Sequence, residues 1–168
     1  MVVLQFITAC MLLALPSLTE VRKQYTLAIS DEDKAETLYA KLNTSEAKED
    51  VLLLAYCGAT RALMAKHALN PYSKLKYLKE GSAMLNQAAQ KNPKQIEVRY
   101  LRFSVENNVP DFLDYRQHLA SDKKVIVDAI LSDTHGLSKE VLKDVVAYML
   151  KNAELDPATK AKLTKALS

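Results

Sequence analysis

The side chains most suggestive of chemistry fall in two short stretches. Lys66 and His67, followed by Asn70 and Lys74, set two ammonium groups, an imidazole and an amide around one predicted helix end and the turn after it. Such a set would ring a polar pocket for a small molecule or a lipid head group. Basic side chains in a helix's last turn also interact with its terminal carbonyls and dipole, and that capping role is the preferred reading. Further on, Gln95, Arg99, Arg102 and Glu106 share one helix face opposite an apolar stripe. Two arginines one turn apart can grip a carboxylate or phosphate in bidentate fashion, although a solvated face is the reading preferred here too.

The remaining candidates carry less. His118 and His135 stand apart from each other and from any cysteine, so no metal site is expected. No serine lies in a nucleophile elbow. Tyr72, Tyr77, Tyr100 and Tyr115 offer a binding surface, or, more simply, half-buried core with the hydroxyl at its edge. Cys57 sits in an apolar helix beside alanine and glycine, the setting of an inert buried thiol. With Cys10 inside the apolar leader, neither an internal disulfide nor a zinc cluster is expected. The side chains therefore suggest no catalytic residue, metal or cofactor. The 23 basic and 20 acidic residues leave a formal charge of +3, with no basic block longer than a pair. A nucleic-acid partner, which requires a concentrated positive face, is not expected.

The elements that must position these groups are helices. Three glycines and five prolines in 168 residues are too few for the frequent turns of an all-β chain. The helical period recurs at Ala35, Leu38, Tyr39 and Leu42; at Ile96, Tyr100 and Phe103; and at Val141, Leu142, Val145 and Val146. Val51 to Ala65 is apolar almost all round, which marks a central helix buried on several sides. Within it Gly58, costly to a helix, implies the close approach of a neighbour. Asn70-Pro71, Asn92-Pro93 and Pro110 break the chain between helices. Thr19 is read as the first helix cap, Ser30-Asp31 as the second, Ser45 as opening a further helix, and Gly136 as a helix-terminating glycine. The count comes to about eight helices in an antiparallel array, an all-α fold.

Residues 1–18, MVVLQFITACMLLALPSL, are uncharged and apolar, with Pro16 and Ser17 placed like a cleavage region. This is the pattern of a secretory signal lacking its basic start, or of a short membrane anchor. A lipidated Cys10 is a third reading, weakened by the apolar residues that follow it. Residues 19–168 then form a single helical domain.

Gly81, Leu85, Ala88 and Pro93 fall where a tetratricopeptide repeat places small, large, small and proline in its second helix. The stretch from Gly81 to Pro93 thus resembles the second half of such a repeat, and the chain as a whole is similar to uncharacterised exported all-helical proteins of bacteria. The resemblance implies a repeat-like helical array and carries over no functional residue. The functional expectation is a non-catalytic interaction module, periplasmic or secreted, or else membrane-anchored through residues 1–18. Its partner would be a protein or peptide of the cell envelope, with Arg99 and Arg102 as anchors. The alternative is a binder of small molecules or lipid head groups that uses Lys66, His67, Asn70 and Lys74.

Overall fold

The computed structural model describes residues 15–167, so most of the leader expected over 1–18 lies outside the described residues. Among the described residues nine α-helices follow one another: α1 (Leu18–Ala28), α2 (Glu32–Leu42), α3 (Ser45–Glu49), α4 (Val51–His67), α5 (Pro71–Lys91), α6 (Ile96–Asn107), α7 (Leu119–Leu131), α8 (Lys139–Asn152) and α9 (Pro157–Lys165). A single 3-10 turn, Asp111–Leu113, lies between α6 and α7, and no strand occurs among the described residues. The all-α reading holds. The additional helix is α3, a five-residue turn that Asp50 separates from α4 by capping the latter's Leu52 and Leu53 amides at 2.8 and 2.9 Å.

Side-chain caps start seven of these helices, each accepting an otherwise unpaired amide of the first turn. The first cap is Ser17 and not Thr19: its Oγ accepts from Glu20 N at 3.3 Å. Thr44 fills the place assigned to Ser45 and accepts from Ala47 N at 3.1 Å. Gly136, although left-handed (φ 62°), lies beyond the end of α7. The left-handed residue closing α7 is Asp133 (φ 54°), which lets the Thr134 amide reach the Ala129 carbonyl at 2.9 Å. That is the Schellman closure, and its place is set by the last helical hydrogen bond rather than by the nearest glycine.

α4 and α5 form an antiparallel hairpin around two glycines. A Cβ on Gly81 would lie 2.5 Å from both Ala62 N and Gly58 O, and one on Gly58 would lie 2.8 Å from Gly81 O. No larger side chain fits at that crossing. α1, α2 and α3 pack on α4, and α6 crosses both α4 and α5. Val21, Leu38, Leu54, Leu85, Val98 and Leu101 fill the core between them. A second core of Ile126, Val145, Val146, Met149 and Leu163 joins α7, α8 and α9 to the opposite side of α6 through Ile96 and Phe103. Burying each such side chain contributes about 1.5–3 kcal/mol. α6 is thus a wall shared by two cores, and its polar residues need partners inside the fold.

Candidate functional site

α6 meets α7 along a polar seam. Asp122, with none of its surface exposed, receives two bonds from Arg102 (Nε to Oδ2 at 2.7 Å, Nη2 to Oδ1 at 2.9 Å) and one from Arg99 (2.9 Å). Arg102 also donates to Asn86 Oδ1 at 3.0 Å, and Arg99 to the Pro93 carbonyl at 3.1 Å. The carboxylate anticipated for this arginine pair is therefore supplied by the chain itself. The solvated face is corrected accordingly: Arg102 is 5% exposed and Glu106 6%.

One turn along, Glu106 accepts the His118 backbone amide and lies against His118 Nδ1, both at 2.8 Å. A carboxylate only accepts, so Nδ1 carries the proton. Glu106 thereby does for α7 what a capping side chain does for the other helices, since His118, its first flanking residue, makes no cap bond itself. A carboxylate-oriented imidazole is also the geometry of a general base. Among the described residues, however, no hydroxyl or thiol is bonded to the His118 ring, and Ser121 Oγ donates instead to the His118 carbonyl at 2.9 Å.

A second internal network ties α6 to α1 and α4. Glu97, 3% exposed, takes a bidentate pair from Arg22 at 2.7 Å and the Tyr56 hydroxyl at 2.8 Å. The Tyr56 ring meets Tyr25 edge-on at 5.4 Å. The hydrogen bond to Glu97 holds Arg22 above its ordinary range, while burial, then the Glu97 charge, raises the Tyr56 phenol. Cys57 is buried, and desolvation pushes its thiol up to about 11. That thiol is inert at neutral pH. Sequence reasoning passed over Glu97 and Asp122, although Asp122 lies in phase with Ile126, Ala129 and Ile130, on the side of α7 that turns inward.

At the other end of the α4–α5 hairpin the residues singled out from sequence behave differently. Lys66 Nζ donates to the Ile29 carbonyl at 2.8 Å and His67 Nε2 to the Ala28 carbonyl at 3.3 Å, so both close the C-terminus of α1. The end they cap belongs to a neighbouring helix, not to their own. Asn70 caps α5 through Ser73 N at 2.7 Å, and Lys74 is exposed. A pocket of about 250 Å³ does lie at the Asn70-Pro71 turn, but none of the three basic residues lines it. Its wall carries Glu32 and Glu36 of α2, with Met64, Leu69, Asn70 and Tyr77. The charge is opposite in sign to that needed for an anionic head group. Around this turn the apolar surface is unusually open: Leu69 is 98% exposed, Tyr72 80% and Leu75 47%.

No three His, Cys, Asp or Glu side chains converge as metal ligands among the described residues, and none of their helices is long and apolar enough to cross a membrane. Two polar networks that brace the helices, and an open apolar turn beside an acidic pocket, are among the features of the described residues. Comparison with protein families, curated proteins and solved structures finds no match, so the function rests on that geometry.

Proposed function

We propose that this chain is a non-catalytic interaction module that seats a protein or peptide partner where α4 turns into α5. The observation that carries the proposal is the exposure of Leu69 at the turn and of Tyr72 and Leu75 at the start of α5. Several large apolar side chains exposed along one short stretch commonly mark a binding surface. Tyrosine joins a large apolar ring to a polar tip and is over-represented among residues that dominate binding energy. Arg99 and Arg102, committed to Asp122, serve instead to hold α7 against α6 and so keep the array rigid.

The glycine crossing of α4 and α5, with Leu85 and Ala88 buried and Pro93 just beyond, supports reading this hairpin as a degenerate tetratricopeptide-like unit. Arrays of such units bind through exposed helix surfaces. Residues 1–18 complete the proposal as an export signal or anchor, which places the module and its partner outside the cytoplasm.

A photoreactive amino acid placed at Tyr72, in cells that export the full chain, tests the reading. Adducts should form at position 72, vanish when Leu69→Ser is added, and be absent with the probe at Thr164 on α9. Equal adducts at both positions, or none at position 72, would overturn it. Cell fractionation of the same strain checks export: a full-length, freely soluble cytoplasmic product removes that part of the proposal.

A further inference from the structure

We propose that the pocket between α2 and the α4–α5 turn receives a lysine or arginine side chain from an apolar segment of the partner. This rests on the proposed docking surface and specifies what docks there. Glu32 and Glu36 stand one turn apart on α2, so both carboxylates face the same space. Neither takes part in an ion pair among the described residues.

The cation deepest in this region, Arg61, is already matched. It pairs with Glu80 at 2.7 Å and is stacked between the Tyr39 and Tyr77 rings, with its guanidinium carbon 4.5 and 4.0 Å from their centroids. Lys66 is turned to the α1 carbonyls. The ends of α2, α4 and α5 add only half-charges of both signs, less than two full carboxylates. The pocket therefore carries an unmatched negative charge.

Size and lining narrow the occupant. About 250 Å³ falls below the roughly 300–1,000 Å³ of sites that enclose a small-molecule ligand. It suits a single long side chain. Met64 and Leu69 offer apolar contact to a methylene stem, while the carboxylates meet its charged head. Leu69, which lines the pocket, and Tyr72, exposed at the start of α5, accept the apolar neighbours of that side chain. Opposite charge at the contact also favours basic segments over acidic ones during encounter.

The test is a selection of displayed random peptides on the full chain, followed by affinity measurements on two variants. One is Glu32→Lys with Glu36→Lys; the other is Leu69→Ser with Tyr72→Ser. All four positions are exposed, so both proteins should keep the parent's circular dichroism. Selected peptides should carry Lys or Arg beside apolar residues. They should lose about tenfold or more in affinity for the charge-reversed variant, and regain it when their basic residue is changed to Glu. Peptides without a basic residue that bind the parent and the charge-reversed variant equally, yet fail on the Leu69/Tyr72 variant, would overturn the pocket assignment and leave the docking surface standing. Peptides indifferent to both variants would overturn both. A concentration-dependent dimer abolished by Glu32→Lys with Glu36→Lys would name a second copy of the chain as occupant, and the proposal would fail.

Discussion

Asp122 is the residue on which the ion pairs between α6 and α7 converge. It is fully buried, it pairs with two guanidinium groups, and both of its oxygens accept from the more buried of these, Arg102. Removing one member of a buried charged set leaves the others desolvated and unpaired, which typically costs about 3–5 kcal/mol. Asp122→Ala should therefore lower the unfolding free energy by about that amount in urea titration, with Arg102→Ala close behind it. A loss below about 1 kcal/mol would show that the arginines reach water and that the seam is a surface contact. The same residue explains why the seam was hard to read beforehand. Sorting side chains by polarity sends Arg99, Arg102 and Glu106 to the solvent face, and that is correct for a helix with one buried side. Only the phase of Asp122 with Ile126, Ala129 and Ile130 hinted that a charge on α7 points inward to meet them.

At the scale of elements, the α4–α5 crossing sets how closely the hairpin packs. Replacing a mid-helix glycine by alanine ordinarily gains about 1 kcal/mol in helix propensity. At Gly81 the added Cβ would come 2.5 Å from two backbone atoms, neither of which can swing aside as a side-chain tip would. Overpacking of this kind costs about 1–3 kcal/mol, so Gly81→Ala should destabilise in spite of its better propensity. Thermal unfolding of Gly81→Ala and Gly58→Ala checks it; a raised Tm in either would mean that the two helices can move apart. This crossing was largely legible. Gly58 in an otherwise continuous apolar helix already implied a close neighbour, and the all-round apolarity of α4 marked it as central. α6 is equally central but reads from its sequence as a helix with one solvated face, because Glu97, Arg102 and Glu106 are buried among partners from α1, α4, α5 and α7 that lie far off in sequence. The exposed turn at Leu69 was illegible for the converse reason: leucine and tyrosine read as core unless the fold shows nothing covering them.

Across the whole molecule, the two cores meet on α6, and tyrosines report on both. Tyr56 and Tyr25 belong to the first core, Tyr148 to the second, and Tyr100 packs against each. Burial raises all four phenols above their ordinary value of 10.0, and the Glu97 charge adds to the effect at Tyr56. For groups whose folded pKa is raised, the native chain holds its protons more tightly than the unfolded chain does. Their contribution is fully present below about pH 10 and is lost as the pH climbs through the higher folded values. Phenolate absorbance and far-ultraviolet circular dichroism, followed together above pH 9, should then show the ionisation of these four phenols coinciding with the loss of helicity. Because α6 contributes residues to both cores, that event should be a single transition in which Tyr56 and Tyr148 ionise together. If Tyr148 ionises first, with partial loss of helicity, the α7–α9 core opens on its own and the shared wall does not couple the two halves. If every phenol ionises near pH 10 with the helices still formed, the tyrosines are open to water and the burial that holds α1, α4, α6 and α8 together is absent.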